Sequence, residues 1–417
     1  MMHLKVKIKN IVLVALAILF LQPLIAQSAK QLKQDLTTDL VYLSSDYLEG
    51  RESGKKGARM AADYIALRFE EIGLQAKGTY DSWMHEFDFK FYPKKHSKEV
   101  AEDRAGRNVV AYLDNGAKNT VIIGGHYDHL GMGISGSRHT GEPAIHNGAD
   151  DNASGIAALL NLAARLKKGT ATHNNYLFIA FSAEELGLIG SKAYVEDPTI
   201  DMSKVNYMLN MDMVGRLNAE KVLAISGAGT SPEWKPILDK ISLHGIKAKT
   251  TDSGIGPSDH TSFYLKNIPV LHFFTGQHTD YHKPEDDAHL INFKGVAQIT
   301  NYMMALIEGL DDAGKIAFTK TKDQQKQGGR SKKYKVTLGV MPDYVHEGKG
   351  LKIDGVMDDR PAAKGGMEAG DVVIQIGETK VAYIYGYMDA LGQFKKGDKT
   401  IVTFLRKGKE MKTEITF

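Results

Sequence analysis

The chain has 417 residues, of which 42% are hydrophobic and 25% are charged, a composition typical of a globular protein with an ample core. It contains no cysteine, which excludes disulfide bonds, thiol catalysis and thiolate-bound metals. The formal net charge is +3, and three lysines near the start of the chain account for all of it, so the remainder is neutral and shows no pattern typical of nucleic-acid binding.

Residues 1–28 have the pattern of a secretory signal peptide. Lys5, Lys7 and Lys9 precede the apolar run "IVLVALAILFLQPLIA", and small or polar residues follow it. The run is short for a membrane span and Pro23 interrupts it, which favours cleavage over a retained anchor. We therefore expect an exported protein, periplasmic or secreted, with no stable membrane anchor after cleavage.

Residues 29–314 predict one large α/β domain. Its first part is expected to be helical, and the clearest amphipathic segment is "KGARMAADYIALRFEEIG", which closes at Gly73. From residue 108, apolar runs such as "TVIIGG", "YLFIAFS", "YMLNMD" and "IPVLHFF" alternate with helical segments such as "SGIAALLNLAARLKK". This pattern predicts a mainly parallel central sheet with helices on both faces.

The composition changes at residues 315–333, which are basic and contain few large apolar residues. We interpret this segment as a linker, because solvated charge runs between domains are common. Beyond it, residues 334–417 contain short predicted strands separated by turns rich in Gly and Asp. They predict a small, separate β-rich domain.

Histidines and acidic residues follow successive strands of the predicted sheet or lie in the adjoining loops. They are His126 with Asp128, Asp150 with Asp151, Glu184 with Glu185, Asp212, and His278 with Asp280 and His282. Each residue alone has an ordinary explanation as a helix cap or a solvated surface group. The carboxyl ends of parallel strands share one edge, however, and several carboxylates in one crevice cannot all stay ionised without a cation. The sequence therefore predicts a metal centre at this edge.

The number of donors indicates two metal ions. Two histidines and three carboxylates, one of them shared, give each ion three protein ligands and leave a position for water. The shared carboxylate is expected to be Asp150 or Asp151, and the residue pattern leaves both open. Of the pair Glu184 and Glu185, one can bind metal while the other takes a proton from the water. Asp128 is placed to accept the second imidazole proton of the nearby histidine.

With these motifs, the chain resembles the co-catalytic dizinc aminopeptidase family, which also contains the glutamate carboxypeptidases and the transferrin receptor. The matching segments occur in family order between residues 121 and 287: "GGHYDHLG", "NGADDNASGIAALL", "FSAEELGLIGS", "NMDMVGR", "SDHTSF" and "DYHKPEDD". The resemblance implies the zinc exopeptidase fold and two Zn²⁺ ions per chain. Co²⁺ or Mn²⁺ are possible substitutes, because sites of nitrogen and oxygen ligands accept several divalent ions.

The resemblance also implies a role for each site residue. His126 and Asp212 would bind the first metal, Glu185 and His282 the second, and Asp151 would bridge them. Glu184 would be the general base, with Asp128 orienting the first histidine. The remaining residues, Asp150, Asp259 and His260, would support the metals without binding them, and His278 would lie outside the ligand set.

The C-terminal domain resembles a bacterial PDZ domain through "GKGLKIDGVMDDRPAAKGGMEAGDVVIQIG". The resemblance implies a C-terminal peptide as ligand, with its carboxylate bound by the loop of Gly348, Lys349, Gly350 and Leu351. The peptide would add a strand beside "LKIDGV". The alternative is a β-domain that only packs on the catalytic domain.

Together these features predict an exported metallo-aminopeptidase that hydrolyses the N-terminal bond of peptides with a two-zinc-activated water and a glutamate base. A carboxypeptidase or amidohydrolase with the same chemistry is the nearest alternative, and Arg216 would then be a candidate to hold a substrate carboxylate. A non-catalytic peptide-binding protein is the third possibility. The intact set of ligands and base argues against it.

Overall fold

A computed structural model describes residues 30–92, 101–139, 141–321, 336–342, 349–357, 360–382 and 384–417. The expected signal peptide and most of the expected linker lie outside these residues. Among the helices that the structure describes, none has the length and apolar character needed to cross a membrane.

A nine-stranded sheet forms the centre of the large domain. Its strands are β1 (Gln75–Ala76), β2 (Met84–Phe91), β3 (Glu102–Leu113), β4 (Asn119–His126), β5 (Asn174–Phe181), β6 (Val205–Met211), β7 (Val222–Ser226), β8 (Lys247–Thr251) and β9 (Val270–Phe274). They lie in the order β1-β3-β5-β4-β6-β9-β7-β8, with β2 paired to β3. The central strands β5, β4, β6 and β9 run parallel, and antiparallel pairs flank them on both sides. The prediction of a mainly parallel central sheet is confirmed.

Helices cover both faces of this sheet. They are α1 (residues 30–43), α2 (Lys56–Ile72), α3 (Gly155–Lys168), α4 (Ile189–Glu196), α5 (Trp234–Leu238), α6 (His260–Tyr264) and α7 (Phe293–Leu310). One buried cluster joins the sheet to α2, α3 and α7, and another joins the opposite face to α4 and α6. Because both faces are covered, β5 and β6 are buried along their whole length and are mainly apolar, with two buried asparagines in each.

The end of α2 shows how local sequence sets the boundaries of these elements. Gly73 adopts a left-handed conformation with φ of 84°, and its N–H donates to the carbonyl of Glu70. The next N–H, of Leu74, donates to the carbonyl of Phe69 at 3.1 Å. This pair of bonds is a common helix ending in which glycine avoids the steric cost of positive φ.

The segment expected to begin the linker belongs to the large domain instead. Ile316 is buried, and Phe318 packs against the core. The N–H of Thr319 donates to the carbonyl of Thr230 at 2.8 Å. Residues 315–321 therefore pack on the sheet, although their composition suggested a solvated segment. The expected start of the linker at residue 315 is wrong.

The small domain is a second, antiparallel sheet. Its strands are β10 (Val340–Pro342), β11 (Leu351–Val356), β12 (Val372–Ile376), β13 (Thr379–Lys380), β14 (Lys399–Arg406) and β15 (Lys409–Thr416), and its helices are α8 (Pro361–Lys364) and α9 (Ile384–Leu391). The strand order is β10-β11-β12-β14-β15, with β13 paired to β12. The β-rich domain predicted from the sequence is present.

The expected peptide site of this domain needs correction. The strand "LKIDGV" is β11, which lies between β10 and β12, so within the described part of this sheet it is an inner strand and not the edge to which a peptide would add. The N–H of Gly350 already donates to the carbonyl of Ala382 at 2.9 Å. It is therefore not available to a peptide carboxylate. Lys349 is exposed, Leu351 is buried in the sheet, and Gly348 lies outside the described residues.

Candidate metal centre

The predicted ligands converge at the carboxyl edge of the central sheet. His126 is the last residue of β4, Glu184 and Glu185 follow β5, and Asp212 follows β6. These three strands are parallel neighbours, so their ends meet at one edge. The loop that follows β9 adds His282.

Asp151 lies between two histidines and presents one carboxylate oxygen to each. Its Oδ1 is 3.3 Å from Nε2 of His126, and its Oδ2 is 3.2 Å from Nε2 of His282. Asp212 Oδ1 lies 3.5 Å from the first histidine nitrogen, and Glu185 Oε2 lies 3.1 Å from the second. Asp151 therefore lies between two sets of donors, one with His126 and Asp212 and the other with His282 and Glu185. A bridging ligand is expected to have this arrangement.

These separations suit metal binding. Two ligand atoms about 2.0–2.2 Å from a tetrahedral zinc ion lie roughly 3.3–3.6 Å apart. The Nε2 atom of His282 is buried and makes no hydrogen bond among the described residues, so it is free to bind an ion. Its other ring nitrogen, Nδ1, lies 2.9 Å from the carbonyl of Gly136, which orients the ring.

The turn before α3 brings Asp151 into place. Gly148 has a φ of 55°, and a Cβ there would lie 2.1 Å from the carbonyl oxygen of Asp151 and 2.6 Å from the ring of His129. Only glycine fits this position. Asp286, which is fully buried, accepts the N–H groups of Asp150 and Asp151 on its Oδ2 at 2.9 and 3.0 Å.

Asp150 points away from the two groups of donors. Its Oδ1 accepts the N–H of Gly215 at 2.6 Å, and its Oδ2 lies 3.3 Å from Nε2 of His278. Burial raises the pKa of Asp150 to about 6, against the opposing effect of His278. The adjacent aspartates therefore differ in environment, and Asp151 is the one that faces both histidines.

Asp128 makes contacts that differ from the expected one. Nδ1 of His126 is 3.2 Å from the main-chain carbonyl of Asp128 and 3.7 Å from its carboxylate. The carboxylate instead accepts the hydroxyl of Ser53 at 3.0 Å and the N–H of Glu184 at 3.1 Å. Asp128 therefore positions the main chain of Glu184 as well as lying beside the histidine.

The two adjacent glutamates have different surroundings. Glu184 is buried with Oε2 at 4.0 Å from Nε2 of His126. Burial raises its pKa well above the usual range; His126 opposes this shift and Asp212 adds to it. For Glu185, burial would also raise the pKa, but contacts with His282 and His129 outweigh it and lower the pKa. Opposite shifts in neighbouring carboxyl groups are typical of an acid–base residue beside a charged ligand.

Asp259 and His260, which the resemblance places beside the metals as supporting residues, are fully buried, and their supporting role stays a prediction. Burial raises the pKa of Asp259 to about 7, and it lowers the pKa of His260. The ring of His260 stacks on that of His272, with centroids 4.5 Å apart.

Sequence reasoning gave no role to His129. Its Nδ1 lies 2.9 Å from Oε1 of Glu185, and the ring is buried. Donor atoms of His129, Asp151 and Glu185 lie within 4.8 Å of one another, as do those of His126, Glu184 and Asp212. The only sequence signal was its position in "HYDHLG", three residues after the first predicted ligand.

The chain matches known families over both domains. Residues 108–307 match the family model described as Peptidase family M28, and residues 318–417 match the PDZ domain. Leupeptin-inactivating enzyme 1 of Streptomyces exfoliatus is 28% identical over 235 residues, which cover 56% of this chain and 46% of that protein. Aminopeptidase YwaD of Bacillus subtilis is 31% identical over 172 residues, covering 38% and 37% of the two chains. The chain thus spans less than half the length of either relative.

The fold is also found in a solved structure. BSAP, a zinc aminopeptidase from Bacillus subtilis, superimposes with a TM-score of 0.51 and 17% identity, covering 68% of this chain and 98% of that one. At this level of identity the similarity concerns the fold.

Proposed function

Because residues 108–307 form a domain of peptidase family M28, we propose that the protein is an exported aminopeptidase that uses two metal ions, naturally zinc. The observation that carries this proposal is the position of Asp151, with one oxygen beside His126 and the other beside His282. If each histidine binds one ion together with its neighbouring carboxylate, Asp151 can bind both ions, one with each oxygen.

In this proposal, His126, Asp212 and Asp151 would hold one ion, and Glu185, His282 and Asp151 would hold the other. Nitrogen and oxygen donors suit Zn²⁺, and they also accept Co²⁺ or Mn²⁺. When bound, such ions polarise the scissile carbonyl and lower the pKa of a water molecule. The ions would also neutralise the negative charge that these buried carboxylates bring together.

Glu184 acts as the general base. Its carboxylate accepts a proton from the attacking water and then donates it to the leaving amine, while the carbonyl carbon gains a bond to oxygen and loses its bond to nitrogen. A base of raised pKa is suited to both transfers near neutral pH. Asp128 supports this role because it accepts the N–H of Glu184.

The surroundings of Arg216 favour an aminopeptidase over a carboxypeptidase. Its Nη2 lies 3.1 Å from Asp280 and 3.4 Å from Asp286. The guanidinium is therefore already paired and is poorly placed to hold a substrate carboxylate. A site rich in carboxylates suits the free α-ammonium group of a peptide N-terminus instead.

For the small domain, we propose peptide binding at β10, the edge strand of its described sheet. An edge strand has unpaired main-chain groups to which an extended peptide can add. Export by the signal peptide would place both domains outside the cytoplasm.

Hydrolysis of matched substrates tests the aminopeptidase proposal. We expect the protein without residues 1–28 to cleave leucine p-nitroanilide, and acetylation of the α-amine to remove most of this activity. Cleavage of an N-blocked dipeptide with a free carboxylate, without cleavage of the free-amine anilide, would instead establish a carboxypeptidase. Failure to cleave any of the three with metal bound would refute the proposed function.

A further inference from the structure

Arg51 is a buried charge whose hydrogen bonds go to main-chain carbonyls. The residue is 1% exposed. Its Nε donates to the carbonyl of Tyr127 at 2.7 Å, Nη1 to that of Asn147 at 2.5 Å, and Nη2 to that of Gly148 at 3.0 Å. Nη1 also donates to the carbonyl of Leu43. Burial lowers the pKa of Arg51 to about 10, so it remains charged at neutral pH. Burying a charge is costly, so such a group needs a function that offsets the cost.

Three of the four accepting carbonyls, those of Tyr127, Asn147 and Gly148, belong to two turns that carry proposed metal ligands. Tyr127 lies between His126 and Asp128. Gly148 lies three residues before Asp151, in the turn that presents the bridging carboxylate. The main chain of Arg51 adds a contact, because its carbonyl accepts the N–H of His129 at 3.2 Å. One side chain therefore joins two segments that are about twenty residues apart in sequence.

The turn that carries Asp151 is held from both ends. Arg51 binds the carbonyls of Asn147 and Gly148, and the carboxylate of Asp286 binds the N–H groups of Asp150 and Asp151. Without the guanidinium, the carbonyl of Asn147 would have no donor among the described residues, and that of Gly148 would keep only the N–H of Ala153 at 3.2 Å. The turn would then shift to reach other donors or water.

We infer that Arg51 is a positioning residue of the metal centre, which fixes the distance between His126 and Asp151 by tying their turns together. This inference rests on the proposed metal centre. The predicted consequence is that loss of the guanidinium weakens metal binding in a protein that remains folded.

A purely electrostatic role for Arg51 predicts stronger metal binding after its removal, whereas a positioning role predicts weaker binding. The test therefore separates the two roles. The guanidinium interacts with Asp128, Asp151 and Glu185, so it opposes a second positive charge at the same carboxylates. If Arg51 acted only as a counter-charge for the carboxylates, its removal would strengthen metal binding. If it acts by positioning, its removal weakens binding.

The test compares three variants of the full mature chain. Arg51→Met removes the charge and all the donors, whereas Arg51→Lys keeps a charge but cannot span carbonyls on separate turns. Arg68→Met is the matched control, because Arg68 pairs with Asp39 at 2.8 Å and with Glu71, and neither of these partners belongs to the proposed metal centre. Co²⁺ affinity is measured by competition with a chromophoric chelator, at a temperature where circular dichroism shows each variant to be folded.

We expect both Arg51 variants to bind Co²⁺ about 10- to 100-fold more weakly than the wild type, the range found when groups that support metal ligands are removed. Arg68→Met should bind Co²⁺ as the wild type does. Unchanged or tighter binding by the Arg51 variants would overturn the inference. If Arg51→Met does not fold, Arg51→Lys decides. Absence of binding by the wild type would instead refute the proposed metal centre.

Discussion

Replacement of Asp286 by alanine is expected to reduce both stability and metal affinity. The carboxylate is fully buried and accepts two main-chain N–H groups, those of Asp150 and Asp151. In Asp286→Ala both N–H groups lose their acceptor inside the protein. An unsatisfied buried donor costs about 1–3 kcal/mol, so the two together should lower the free energy of unfolding by roughly 2–6 kcal/mol.

Asp311→Ala is a matched control for this variant. Asp311 also accepts two main-chain N–H groups, those of Thr172 at 2.9 Å and His173 at 3.2 Å, but it lies at the other end of the sheet strands. We expect it to lose stability in urea unfolding of the chelator-treated protein, with unchanged Co²⁺ affinity. Only Asp286→Ala should also bind Co²⁺ more weakly, by about 10-fold or more.

Two results would refute this reasoning. Urea midpoints equal to that of the wild type would show that the two hydrogen bonds of Asp286 add nothing to stability. A large loss of stability with wild-type Co²⁺ affinity would show that the turn keeps Asp151 in place without Asp286.

Three further outcomes are expected. His129→Ala should weaken binding of one of the two ions by about 10- to 100-fold, seen as an early loss of one equivalent during dialysis, because Glu185 loses its hydrogen-bond partner. Removal of metal by a chelator should abolish anilide hydrolysis and lower the melting temperature, and Zn²⁺ should restore both; each ion at 100 times its Kd adds about 2.7 kcal/mol of stability. Arg406→Ala should lower the urea midpoint of the small domain, because the buried carboxylate of Asp371 loses its ion-pair partner at 2.7 Å, while hydrolysis of a small anilide stays unchanged; a loss of that activity would show that the metal centre depends on the folding of the small domain.

Much of the site could be predicted because its main signals are local. Strands β4, β5, β6 and β9 are mainly apolar, so they can be recognised in the sequence. Because parallel strands end at one edge of the sheet, His126, Glu184 and Asp212 can then be placed together without any knowledge of distances. The apolar runs are visible in the sequence because both faces of the sheet are covered.

The remaining features depend on contacts between segments distant in sequence. Arg51 and Asp286 hold the turn of Asp151 through main-chain groups, and such contacts leave no periodic pattern. His129 reaches Glu185 because its backbone runs beside residues 50–52. In the small domain, the position of β11 between two strands depends on pairing that the sequence of β11 alone does not reveal.

The most direct test of the account is the metal content and turnover of Glu184→Gln. Glutamine keeps the shape of Glu184 but cannot accept the proton, so we predict two metal ions per chain, as in the wild type, and a loss of anilide turnover of about 10²- to 10⁴-fold. Turnover close to that of the wild type would contradict Glu184 as the base. A wild-type protein that holds fewer than two ions when saturated would contradict the shared role of Asp151.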